Sequence, residues 1–75
     1  MWVRPGEQRV VGECLAVARQ CAGITQRDLA APQSFVSAYE NGQRRIDLLE
    51  FLAIAEALKA DPLAVFAKIV ERRSE

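Results

Sequence analysis

Apolar residues recur at helical spacing along most of the chain, and the breaks between these runs fall at glycine, proline or helix-capping residues. The first run places Val10, Cys14, Val17, Ala18 and Cys21 on one stripe, widened by Val11 and Leu15. Arg9, Glu13, Arg19 and Gln20 fall mostly on the other faces, and Gly23 is the expected stop. A second, very short helix is predicted to open at Thr25-Gln26-Arg27-Asp28, with Thr25 capping, Asp28 as its capping-box partner and Leu29 and Ala30 facing inward. Ala31 precedes Pro32 and is therefore pushed away from helical geometry. Pro32 suits the first turn of a third helix running through Glu40. On that helix Val36, Tyr39 and Phe35 supply the inward side, while Gln33, Ser34, Ser37 and Ala38 make a face of small or hydrogen-bonding groups. Asn41-Gly42 is a turn signal that ends it.

Asp47 and Glu50 form a capping-box-like pair for a fourth helix, whose Leu48, Leu49, Phe51, Leu52, Ile54, Ala55 and Leu58 are apolar nearly all round. Such a helix is buried centrally or shared with a partner surface. Asp61-Pro62 caps and starts a fifth helix, with Leu63, Phe66, Ala67 and Val70 at helical spacing before the charged end Glu71 to Glu75. The prediction is an all-α, compact five-helix bundle, a single domain over 1–75 with Leu29, Val36, Tyr39 and Leu52 in its core. Trp2 either packs on the bundle or covers a partner surface.

Composition supports this picture and narrows the function. A chain of 75 residues, 51% apolar, has room for one core. Chains this short bury only about 60% of their unfolded surface, so pairing with a second copy would help stability. Ten basic residues balance ten acidic ones, which lacks the basic excess common among nucleic-acid binders. Local placement of charge matters more than its sum. No stretch approaches the roughly 18 to 20 apolar residues of a membrane span, and Met1 to Gly6 lacks the order of a signal peptide. A cytoplasmic protein is the expectation. Cys14 and Cys21 lie about 10 Å apart along a helix axis, too far to bridge. They read as small buried hydrophobes, with redox sensing as the alternative. With no histidine and two thiols, neither a zinc site nor any other cofactor is expected. No glycine-rich phosphate loop is present and neither cysteine has a base nearby in the sequence, so no enzymatic activity is expected.

Gly23-Ile24-Thr25-Gln26-Arg27-Asp28-Leu29-Ala30 and Pro32-Gln33-Ser34-Phe35-Val36-Ser37-Ala38-Tyr39-Glu40-Asn41-Gly42 resemble the helix-turn-helix of the Cro/phage-repressor (XRE) family. Arg44-Arg45-Ile46 and Leu52-Ala53-Ile54-Ala55-Glu56-Ala57-Leu58 match the family's next helix, and Asp61-Pro62-Leu63 with Phe66 resembles the start of its fifth. The resemblance spans 10–66, with the helix-turn-helix at 25–42, and implies a lambda-repressor-like DNA-binding domain. One departure stands out. Family members usually carry about one more helical turn of residues between the second and third helices, whereas here Ala31 meets Pro32 directly. Either the sequence skips the residues of a turn, which the intact remainder of the motif favours, or a true deletion alters the reading geometry.

The resemblance implies that the third helix enters the major groove with its N-terminal residues at base edges. Gln33 and Ser34 are then the first base-reading candidates, because glutamine can hold adenine through two hydrogen bonds. Ser37 follows one turn on, and Ala38 can touch a thymine methyl. Gln26, at the start of the second helix, suits a phosphate. Asn41, Arg44 and Arg45 are candidate phosphate clamps on the opposite flank, with Arg27 a weaker one, and Glu40 is read as structural. Between 25 and 45 three arginines face Asp28 and Glu40, a net charge of +1, so few ionic contacts and a shallow salt dependence are expected. The implied function is a sequence-specific transcriptional regulator, a repressor, binding double-stranded DNA at a palindrome as a homodimer. The fourth and fifth helices are candidates for the dimer contact. The alternatives are an antitoxin with a protein partner, or a protein-interaction module of the same fold that does not bind DNA.

Overall fold

The computed structural model describes residues 4–74 and is all-helical over them, with four α-helices and one 3₁₀ turn. They are α1 (Pro5–Cys21), the 3₁₀ turn (Gln26–Asp28), α2 (Gln33–Glu40), α3 (Leu48–Ala57) and α4 (Pro62–Arg73). Trp2 lies outside the described residues. No helix among them is long and apolar enough to cross a membrane.

The predicted second helix is reduced to that single 3₁₀ turn, so the bundle has four α-helices rather than five. Proline explains the loss. Pro32 has no N–H, and its ring excludes the carbonyl of the residue four positions back, which is Asp28. Leu29 accordingly leaves helical space, with φ −77° and ψ 143°. Ala31 connects to Pro32 through a trans peptide, and the Pro32 carbonyl accepts the first bonds of α2 from Phe35 and Val36 at 3.0 and 3.2 Å. At the other end of the chain α1 begins at Pro5, earlier than its apolar stripe suggests. A proline at the first helical position and Glu7, whose carboxylate accepts the Arg4 N–H at 3.4 Å, start the helix before its inward face begins.

The remaining caps follow the sequence. Asp47 accepts the Glu50 N–H at 2.7 Å while Glu50 accepts the Asp47 N–H at 3.0 Å, and Asp61 accepts the Leu63 N–H at 3.0 Å. α1 ends at Gly23 as expected, and α2 ends at Asn41-Gly42.

Leu15, Val36, Tyr39 and Leu58 form the fully buried centre, surrounded by Cys14, Leu29, Phe51, Ile54, Val65 and Ile69. α4 runs antiparallel to α1. Arg72 and Arg73 in its last turn pair with Glu13 and Glu7, whereas Ala60 and Ala64 near its start lie beside Ala18 and Cys21. α1 and α2 cross so closely at Gly12 that a Cβ there would lie 2.0 Å from the Tyr39 carbonyl oxygen.

Several expected core positions face outward instead. Leu52 is exposed, because α3 turns Phe51, Ile54, Ala55 and Leu58 inward. On α4 the inward stripe is Val65 and Ile69, and the predicted Leu63, Phe66 and Val70 stripe is exposed. Val17 and Cys21 are exposed along an open cleft of about 440 Å³ between α1 and α4, which the small side chains of Ala60 and Ala64 leave unfilled. Cys14 is buried as expected.

Burial pushes the Tyr39 phenol up to about 12, with the Glu40 carboxylate adding to the shift. In the unfolded chain the same phenol ionises near its ordinary value of about 10. Between those pH values the unfolded state has released a proton that the native state keeps, so stability falls as pH rises through this window and is unaffected below it. A difference of about two units corresponds to roughly 2–3 kcal/mol. Tyr39 is the one tyrosine, so its phenolate absorbance is readable without assignment. Tyr39→Phe should retain more stability than the wild type between pH 10 and 12, and a native phenol titrating near 10 would refute the account.

Candidate nucleic-acid interface

Helical geometry divides α2 into two faces. At 100° per residue, Gln33, Ser34, Ser37, Ala38 and Asn41 fall within one arc, and Val36 and Tyr39 point the opposite way. The second face is anchored, with both side chains essentially inaccessible and the Phe35 ring edge-on to Tyr39 at 5.4 Å. Gln33, Ser34 and Asn41 are exposed, and Ser37 and Ala38 are half-buried beside them. The Asn41 side-chain amide donates to the Ser37 hydroxyl at 3.4 Å, which links the last two polar members. The four candidate base readers therefore share one accessible face with Asn41. Because the helix is held from behind, that face is rigidly presented.

The phosphate candidates fare less uniformly. Gln26 is half-buried, and its side-chain amide donates to the Glu40 carboxylate at 2.9 Å. Its side chain is committed to holding the 3₁₀ turn against the end of α2. A three-residue 3₁₀ turn also lacks the aligned peptides that give a helix N-terminus its positive end, so the expected phosphate seat at Gln26 is not formed as a helix terminus. Arg27 is exposed on that turn. The adjacent Asp28 carboxyl is held below its ordinary value, first by the Thr25 N–H donated to it at 2.9 Å. Arg44 and Arg45 are exposed in the loop between α2 and α3. The Arg44 guanidinium lies over the Phe35 ring at 4.7 Å and pairs with Glu50 at 3.3 Å, so it is oriented in advance and partly neutralised.

Glu40 has the structural role expected of it. Arg19 grips it with Nε at 2.7 Å and Nη2 at 3.2 Å, and the same guanidinium donates through Nη1 to the Ile24 carbonyl at 2.8 Å. This pair ties α1, the turn after it, the 3₁₀ turn and α2 together. The Glu40 hydrogen bond is also the main cause that raises the Arg19 pKa. Arg19 carried no signal in the apolar pattern, since a charged residue off the stripe ordinarily reads as solvated.

Two further residues position the loop. Gln8 donates through its side-chain amide to the Gly42 carbonyl at 2.6 Å, and a Cβ on Gly42 would stand 2.9 Å from the Arg9 Cα. Gly42 also has φ 74°, so both the turn and the approach of α1 require glycine. Arg9 is thereby brought against the end of α2. An unexplained glycine inside an apolar helix, Gly12, was the available hint that α1 and α2 approach this closely.

Among the described residues, no group of acidic and thiol side chains is arranged to hold a metal ion. No protein-family model matches the chain, and no curated protein sequence is significantly similar to it.

Proposed function

We propose that this protein is a sequence-specific DNA-binding transcriptional regulator, acting as a repressor, with a lambda-repressor-like helix-turn-helix in which α2 lies in the major groove. The observation that carries the reading is the two-faced α2, with Gln33, Ser34, Ser37 and Ala38 accessible on one side and Val36 and Tyr39 locked into the core on the other. A helix that reads base edges needs that combination of accessible hydrogen-bonding groups and a fixed axis. The 3₁₀ turn takes the place of the helix that would cross the backbone, held to α2 by Gln26 and Glu40.

One such helix spans only a few base pairs, so a homodimer on a palindrome is the natural arrangement. Exposed apolar side chains support pairing. Leu49 is 75%, Leu63 77% and Phe66 53% exposed, and Leu63, Phe66 and Val70 follow one stripe of α4. The same surface favours a second reading, in which the domain engages a different protein, either as an antitoxin or as an interaction module without DNA binding.

Selection from a random duplex pool tests the proposal. The expected result is an enriched palindrome whose sequence preference relaxes in Gln33→Ala, by the roughly 1–3 kcal/mol that a bidentate base contact supplies. Tyr39 and Val36 being untouched, that variant should melt like the wild type. Enrichment of no duplex even at low salt would overturn the proposal in favour of a protein partner.

A further inference from the structure

We propose that the second turn of α1 belongs to the DNA-contacting surface, with Arg9 supplying a phosphate contact at the Gly42 end of α2. This rests on the regulator reading above. Two observations point to Arg9. First, α1 is clamped to the end of α2, because Gln8 donates to the Gly42 carbonyl at 2.6 Å and the Arg9 Cα and Cβ lie against Gly42. Gly42 immediately follows Asn41, the last residue of the accessible face of α2, so Arg9 lies against the end of the helix that carries that face. Second, the charges near the end of α2 and the second turn of α1 are unevenly neutralised. Glu50 is engaged by Arg44 and Glu7 by Arg73, whereas Arg9 is exposed and pairs with no carboxylate among the described residues.

An exposed arginine whose backbone is fixed and whose guanidinium is uncommitted suits a phosphodiester oxygen. Binding it breaks no internal ion pair, whereas Arg44 must share its charge with Glu50. The contact carries no sequence information and so sets register and affinity rather than base preference. Gln8 is the positioning residue, since it sets how close the loop and Arg9 stand. The contact also offsets the near-neutral charge of the 25–45 segment by recruiting a cation from outside it.

The test is a salt titration of binding to the selected duplex and to a scrambled one, with wild type, Arg9→Ala, Gln33→Ala and Lys68→Ala. Lys68 lines the separate cleft between α1 and α4 and controls for net charge. Removing one phosphate contact should reduce the salt slope by about 0.9 and weaken binding roughly five- to tenfold at about 0.1 M salt. For Arg9→Ala this loss should be equal on both duplexes, with an unchanged melting temperature, and Lys68→Ala should leave the slope as in the wild type. An Arg9→Ala slope equal to wild type, while Gln33→Ala still relaxes specificity, would overturn this inference alone. A Lys68→Ala loss as large as that of Arg9→Ala would also overturn it, because the effect would then be one of total charge. Failure of the wild type to bind any duplex would overturn it together with the regulator reading.

Discussion

Gly12→Ala should destabilise the protein by about 2 kcal/mol, although alanine is intrinsically the better helix former by about 1 kcal/mol. The two effects oppose each other, and their magnitudes decide the sign. A Cβ at position 12 would lie 2.0 Å from the Tyr39 carbonyl oxygen, 3.0 Å from that of Glu40 and 3.1 Å from the Tyr39 carbonyl carbon. All three obstacles are backbone, so no rotamer change relieves them and α1 must separate from α2. Overpacking of this kind costs about 1–3 kcal/mol and occasionally more, and here the separation also disturbs Leu15, Val36 and Tyr39 at the centre of the core. For a domain of this size each kcal/mol is worth about 4–8 °C of melting temperature, so a fall of roughly 8–16 °C is expected. Chemical denaturation with an unchanged m-value would assign the loss to stability itself. A neutral or stabilised Gly12→Ala would mean that the helices do not cross as described.

Arg19→Ala should be at least as damaging, by about 3 kcal/mol, because it strands a carboxylate rather than because it removes an attraction. The Arg19 and Glu40 side chains are only 13% and 7% exposed. Without the guanidinium, Glu40 keeps one hydrogen bond, from Gln26, and the Ile24 carbonyl loses its Arg19 donor. Replacing both partners separates the two explanations. Arg19→Met with Glu40→Met should be markedly less harmful than the sum of the single changes, since no buried charge is then left unpaired. Strict additivity in the double-mutant cycle would show the pair to be uncoupled and the account wrong. On the proposed function, Arg19→Ala should also weaken DNA binding through the altered seating of α2, since the Arg19 guanidinium is engaged by Glu40 and the Ile24 carbonyl.

Local chemistry carries much of the architecture. The cap at Asp47 and Glu50, the aspartate at 61 before its proline, Gly23 and Asn41-Gly42 each act within a few residues, and each appears where the residue types place it. The accessible face of α2 is equally local, because helical periodicity alone puts Gln33, Ser34, Ser37 and Ala38 together once the helix exists. The second helix falls short of its capping pattern, and Pro32 is the reason. The capping pattern at Thr25 is genuine, as the Asp28 bond to the Thr25 N–H demonstrates, but one capped turn cannot propagate against a proline four residues past its end. The position of Gln26 suggests a phosphate contact, yet its amide is spent on Glu40, a partner fourteen residues away.

Residue pattern alone makes this chain helical, sets where most of its helices start and stop, and puts particular side chains together on the polar face of α2. It also determined that Val36 and Tyr39 oppose that face. Tertiary structure decided which apolar stripe of each remaining helix is buried. α3 and α4 carry apolar residues around most of their circumference, so periodicity offers more than one inward face and only the neighbouring helices choose. α1 lies against Val65 and Ile69, which leaves Leu63, Phe66 and Val70 outside, and the same choice on α3 leaves Leu52 exposed. Tertiary structure likewise decided that Arg19 faces Glu40 and that Arg9 stands beside Gly42, because those approaches depend on how closely Gly12 lets two helices cross.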